Sequence, residues 1–256
     1  MGKLHGDNMK QYLFLFILLV LSHHSYAENF IAATANWSPY AMKTEEGITG
    51  ISVEILNEIV KRTGDTISIN IYPTKRLNML FDSNKLDINF ADSPDWNEAK
   101  HSQNYIFSEK YFDVKEYVYF LKNRFIETNK PKDLKGKRIG ISAGYYYAMF
   151  DAYFKRHIII KKEIYSNKSL LRFLKSGRCD AAFFDNVLFD YLIIQLDFDK
   201  KQFKRGFEIN NAPLGLKIRI EKRHAVKRFN NAIRTLKKEG FIKKIIHKYT
   251  NFYSDE

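Results

Sequence analysis

The stretch DLKGKRIGISAGYYYAMF, residues Asp133–Phe150, reads as strand, glycine turn and helix. Lys137 to Ser142 is a short apolar run punctuated by Gly140, a pattern that suits a buried parallel strand better than an amphipathic surface element. Gly144 ends the run, and apolar and aromatic side chains then recur at helical spacing (Tyr146, Met149, Phe150, Tyr153), which predicts a helix over 145–156. The bare N–H groups at the start of such a helix face a cleft and are ready donors to a small polar or anionic ligand; the alternative is a purely structural strand-to-helix corner.

An earlier stretch has the same grammar. Phe30 to Ala35 is an apolar strand, Asn36 to Tyr40 an aromatic-rich turn, and Ser52 to Thr63 an amphipathic helix. Two such units predict two lobes.

At the N-terminus, Lys3 and Lys10 precede an apolar run from Tyr12 to Leu21, and Ser25 and Ala27 supply the small residues that a signal peptidase reads. The ten residues of the run are too few to span a bilayer as a helix, so residues 1–27 read as a signal peptide cut after Ala27, with Met9 an alternative start. The lone Cys179 excludes an intrachain disulfide and is expected to be a buried small residue, and no HExxH or clustered-histidine pattern suggests a metal. No cofactor is expected. Lys plus Arg exceed Asp plus Glu by 42 to 29, and removal of residues 1–27 still leaves a net +12. The basic residues are scattered over helix faces instead of collected into an arm or motif, which argues for a solvated basic surface and against nucleic-acid binding.

Along the first lobe, Thr66 to Tyr72 alternates as a strand, Lys75 to Phe81 is a short helix, and Leu86 to Ala91 is a buried strand delivering Asp92 to its C-terminal end. Ligands of open α/β sheets gather at such ends, so Ser93 to Trp96 is expected to be a cleft loop, followed by a polar helix or turn over 97–103. Phe107 to Phe112 leads into extended Tyr117 to Leu121, the first inter-lobe crossing. In the second lobe a strand at 158–160 and a helix over 169–176 precede Arg178 to Phe184, a strand that carries Asp185 to its end; Asp185 is either a ligand acid or the N-cap of a helix over 187–195. Beyond 203–209 the chain reaches the Asn210 to Gly215 segment and a second extended segment, Leu216 to Ile220, the return crossing. The tail is a helix pair, with Ala225, Phe229, Ile233 and Leu236 on one face, then Phe241, Ile245 and Tyr249 after Gly240. The resulting layout is lobe one at 28–114 and 214–256 with lobe two at 115–213.

Several ordered motifs carry a resemblance: Trp37 to Tyr40 (WSPY), 47–55 (GITGISVEI), 85–88 (KLDI), 107–111 (FSEKY), 133–140 (DLKGKRIG) and 177–182 (GRCDAA). Between Phe30 and Tyr249 the chain resembles the family 3 extracellular solute-binding proteins, the periplasmic receptors of polar amino acid uptake transporters. The resemblance implies a two-lobed α/β fold of periplasmic-binding-protein type II with two inter-lobe crossings, closing on a small solute by hinge bending, with an ABC transporter permease as partner and a monomeric, non-spanning mature protein. It also implies that Trp37 or Tyr40 covers the ligand, that Asp185 holds its ammonium, and that an Arg after the 86–91 strand pairs with its carboxylate. At that last point the chain departs from the pattern, showing Lys100 or His101, neither of which makes a two-pronged contact; Arg76 is an alternative. Tyr145 and Tyr146 replace the small hydroxyl residues that often follow the glycine. With Asp92 and Trp96, these residues complete the expected site, and its aromatic faces and acid predict an amine-bearing ligand.

The chain has no nucleophile elbow and no phosphate loop, which argues against an enzyme. The competing readings are a dehydratase-like enzyme on the same fold, with Glu54 or Asp185 as general acid, and a stand-alone sensor or adhesive module.

Overall fold

The computed structural model describes residues 27–97 and 103–251. The expected signal peptide, apart from Ala27, and Lys100 and His101 lie outside the described residues.

In chain order the elements are β1 (Asn29–Thr34), the hairpin strands β2 (Met42–Thr44) and β3 (Gly47–Thr49), α1 (Ile51–Thr63), β4 (Thr66–Ile71), α2 (Thr74–Asp82), β5 (Ile88–Asp92), β6 (Tyr105–Phe107) and β7 (Phe112–Leu121). There follow β8 (Arg138–Ser142), α3 (Ala148–Lys155), β9 (Ile160–Ile164), α4 (Asn167–Lys175), β10 (Ala181–Asp185), α5 (Asn186–Gln195), β11 (Phe203–Arg219), α6 (Val226–Lys238) and α7 (Phe241–Thr250). The main sheet runs β4-β1-β5-β11-β7-β10-β8-β9, with β6 also on β11. Its two ends are parallel, β4-β1-β5 in one lobe and β10-β8-β9 in the other. The long antiparallel strands β7 and β11 join them. These are the two crossings.

Burial explains why each lobe holds together. In α1 the apolar face Ile51, Val53, Ile55, Leu56, Ile59 and Val60 is buried against Phe30, Ile88, Phe229 and Ile233, and each fully buried Ile or Leu contributes roughly 1.5–3 kcal/mol. Phe30 and Ala32 of β1 face that core, and Ala33 serves the other face, packing against Leu77, Phe81 and Leu86 under α2. Lobe two is likewise filled on both faces of its sheet, by Leu170, Leu174 and Phe189 on one and by Phe150, Ile139 and Phe183 on the other. Cys179 is buried there at 1% exposure.

Three expected elements differ in the structure. The helix expected over 145–156 starts only at Ala148, because Gly144 turns at φ 81 and Tyr145 to Tyr147 run on as coil before it. The strand expected at 158–160 is β9, Ile160–Ile164; register with β8 selects it (Arg138↔Ile160 to Ser142↔Ile164), and as an exposed edge strand of sequence IKKEI it has no hydropathy signature. Ile159 instead plugs the core at 0% exposure. The return crossing is one unbroken strand, since the Asn210 to Gly215 segment, polar and carrying Pro213, stays paired with β7 from Asn210↔Glu116 to Leu214↔Phe112.

Candidate functional site

The loop after β1 is built around Tyr40. Trp37 and Ala41 exchange two backbone bonds of 2.8 Å, and the start of α1 docks on the same loop through Ile51 N–H to Pro39 O (3.0 Å) and Ser52 N–H to Tyr40 O (2.9 Å). Gly50, at φ 134, is required there because a Cβ would collide with the Tyr40 carbonyl. The result is a Tyr40 side chain at 0% exposure, its ring tilted against Trp37 at 4.1 Å between centroids; Trp37 in turn meets Trp96 edge-on at 5.6 Å.

Across the cleft, β10 delivers Asp185 as its last residue, 4% exposed, one position before α5. The N-cap reading of this acid holds, and the same oxygen has a second partner in the other lobe. Its Oδ1 accepts the Leu188 N–H at 2.8 Å as the helix N-cap, and it also accepts the Tyr40 hydroxyl of the other lobe at 2.8 Å. Burial pushes the Asp185 carboxyl up to about 7 against the opposing Leu188 and Tyr40 donors, with the charge of Glu116 adding to the rise. The lobes also touch where the Tyr191 hydroxyl meets Met42 Sδ at 3.4 Å and where Val187 joins the core of lobe one.

Glu116 is the residue that local reading missed. It is the direct partner of Asp185 on β7 and, on its other side, of Asn210 on β11, so the three side chains form one row across β10, β7 and β11. Asn210 Nδ2 donates to Glu116 Oε2 at 2.8 Å, and the Tyr147 hydroxyl donates to Oε1 at 3.0 Å. Burial raises the Glu116 pKa against these two donors. Two buried polar atoms near these groups have no partner among the described residues, the Trp37 Nε1–H donor and the Asn186 Oδ1 acceptor.

Of the three consecutive tyrosines, the third is the one tied into this row. Tyr147 is 7% exposed, whereas Tyr146 points outward at 73%. Tyr145 is half-exposed, yet burial of its hydroxyl and the charges of Asp185 and Glu116 raise its pKa. Asp92 ends β5 as expected but is used internally: it accepts from Asn89 Nδ2 (2.9 Å), Asn97 Nδ2 (2.9 Å) and Ser93 N–H (2.8 Å), with Lys217 Nζ at 3.8 Å. Lys217 donates to Asn97 Oδ1 at 2.6 Å from between the Phe81 and Tyr105 rings, so this buried cluster pins the loop that carries Trp96. Arg76 stands exposed with its guanidinium over Tyr72 at 5.1 Å. Glu54, offered as a general acid, is held by Lys248 (2.8 Å) and the Tyr249 hydroxyl (2.6 Å) at the back of α1. Trp37, Tyr40, Trp96 and Asp185 are thus brought together directly, with Tyr145 beside them; Arg76 and Tyr146 stand apart. Among the described residues no group of His, Cys, Asp and Glu is arranged to hold a metal ion.

A two-lobed α/β fold with an aromatic and acidic cleft between its halves is the architecture of solute-binding proteins. The chain matches the bacterial extracellular solute-binding proteins, family 3, over residues 30–252, and belongs to that family. It is 23% identical over 224 residues to the arginine-binding extracellular protein ArtP of Bacillus subtilis (strain 168), covering 86% of this chain and 84% of the relative. It is 25% identical over 232 residues to the arginine-binding periplasmic protein of Mannheimia haemolytica, covering 87% and 91%. Its fold is that of substrate-binding domain 2 of Lactococcus lactis GlnP in the open conformation (TM-score 0.70, 21% identity, 90% of this chain and 98% of that one). The same holds for the unliganded L-cystine solute receptor of Neisseria gonorrhoeae (TM-score 0.69, 16% identity, 88% and 94%). No helix among the described residues is long and apolar enough to cross a membrane.

Proposed function

We propose that the chain is an exported receptor that closes its two lobes, 28–114 with 214–256 against 115–213, on a small amine-bearing solute of amino-acid type and presents it to an ABC transporter permease. The observation that carries this reading is the Tyr40–Asp185 hydrogen bond, which joins a first-lobe aromatic loop to a second-lobe acid at 2.8 Å. Both this bond and the Leu188 cap end on Oδ1, and the second carboxylate oxygen is the one we assign to the solute ammonium. The Trp37 ring, beside Tyr40, then covers the solute body, and a cation over such a ring gains about 0.5–2 kcal/mol. The names of the two arginine-binding relatives support a basic amino acid as the first solute to try.

A thermal-shift screen of the mature protein against amino acids, amines and organic acids tests the reading. A true ligand at a hundred times its Kd stabilises the closed form by roughly 2.7 kcal/mol. Proton NMR of the mixture must show the solute unchanged; conversion of it would favour the dehydratase-like alternative. If only carboxylic acids lacking an amine raise the melting temperature, the assignment of Asp185 falls.

A further inference from the structure

We propose that Glu116 is a second ligand carboxylate of the cleft and that, with Asp185, it selects solutes carrying two cationic nitrogens over those carrying one. This deepens the receptor reading and rests on it.

The argument starts from how this chain treats its other buried or half-buried acids. With a net charge of +13, it has basic side chains to spare, and it uses them. Asp65 is gripped by Arg228 Nε at 2.8 Å, Asp180 by Arg138 at 2.7 Å, Asp190 by Lys200 at 2.7 Å, and Asp92 has Lys217 at 3.8 Å. Among the described residues no ion pair is formed by Asp185 or Glu116: neutral donors hold them, the Tyr40 hydroxyl and the Leu188 and Val187 N–H groups for one, the Tyr147 hydroxyl and the Asn210 amide for the other. They are direct partners on neighbouring antiparallel strands, which sets their Cα atoms about 4.5–5.5 Å apart and their side chains on one face.

Two carboxylates so placed resist ionising together, and burial without a counter-charge raises that resistance. A solute with two cationic nitrogens removes it by supplying both counter-charges, whereas a monocation compensates only one. The unpartnered Asn186 Oδ1, on the residue next to Asp185, is a further buried acceptor, and the unpartnered Trp37 Nε1–H is a buried donor from the first lobe. The two carboxylates of the row are matched to a solute with two cationic N–H groups. The donors that hold the carboxylates come from both lobes and from one crossing strand. Tyr40 belongs to the first lobe, Tyr147 to the turn before α3, and Asn210 to β11, so the acid pair is oriented before a solute arrives.

Calorimetric titration of the mature protein with cadaverine, n-pentylamine, L-lysine and L-glutamine tests this, using wild type, Glu116→Gln and Asp185→Asn. Cadaverine is expected to bind at least about tenfold more tightly than n-pentylamine, and L-lysine likewise against L-glutamine. Glu116→Gln is expected to remove that preference by weakening the dications at least about tenfold more than the monocations, and Asp185→Asn to weaken all four. Glu116→Asp, which keeps the charge, is expected to retain the preference. If wild type binds monocations as tightly as dications, the inference is overturned and the amine-receptor reading survives, a result that needs no variant to fold. Equal losses for both classes in Glu116→Gln overturn it too, by showing a merely structural residue. Failure of every amine to bind wild type overturns both readings.

Discussion

The Tyr40 hydroxyl donates to Asp185 Oδ1 at 2.8 Å across the cleft, and both residues are buried, at 0% and 4% exposure. Without a solute the chain itself satisfies the acid that we assign to the ligand. Tyr40→Phe is expected to lower stability by about 1–2 kcal/mol, since it strips a donor from a buried carboxylate. It is also expected to loosen the unliganded form, read as a larger radius of gyration by small-angle scattering. An unchanged melting temperature together with an unchanged radius would show that the bond does not hold the lobes.

Asp185 should leave a signature in the pH dependence of stability. Its carboxyl sits at about 7 in the folded protein against an ordinary 3.8, so between those values the native state binds more protons than the unfolded chain. Stability contributed by the protonated acid is therefore complete below about pH 4 and is lost as pH rises towards 7, by on the order of 4 kcal/mol in all. The difference between wild type and Asp185→Asn, followed by urea unfolding from pH 4 to 8, isolates this group, because Asn keeps the helix cap. A difference that is flat across the window would contradict a protonated Asp185.

The Asp92 cluster makes a separate claim. Burial lowers the Lys217 pKa and raises that of Asp92, while Lys217 and Asn97 link strand to loop at 2.6 Å. Lys217→Met is expected to cost roughly 2–3 kcal/mol by leaving a buried carboxylate without its counter-charge and the Asn97 amide oxygen without its donor. It is also expected to blunt any solute-induced change in Trp96 fluorescence. The double variant Lys217→Met with Asp92→Asn should recover part of the stability; a double variant no better than the single would mean that the pair is not coupled.

The expected cut after Ala27 would have a structural consequence that can be measured. The Glu28 backbone N–H donates to Asp65 Oδ1 at 3.0 Å, and the Asp65 side chain, 1% exposed, is held below its usual pKa chiefly by Arg228 against the effect of burial. A cut after Ala27 converts that amide into an ammonium, and a charged donor strengthens the bond. Intact mass of the exported protein should begin at Glu28, and that form should exceed an alanine-extended version in stability by about 1–2 kcal/mol. A mature terminus several residues away would remove the basis for this expectation.

Much of this protein was legible locally. The two strand–turn–helix units, the paired C-terminal helices, the burial of Cys179 and the placing of Asp185 at a strand end before a helix all follow from hydropathy period, glycine position and capping chemistry. Those are properties of neighbours in sequence. What escaped depends on partners far away in the chain. β9 is a strand because β8 offers it a ladder, and Asn210 to Gly215 stays extended because β7 runs alongside it. Tyr147, and neither Tyr145 nor Tyr146, reaches Glu116 because the turn at Gly144 delays α3. Sequence alone determined that an acid and aromatic residues would meet at a cleft. Only the tertiary structure decided that Asp185, Glu116 and Asn210 form one row, because strand register is set by packing of both sheet faces and leaves no trace in the residues on either side of each position.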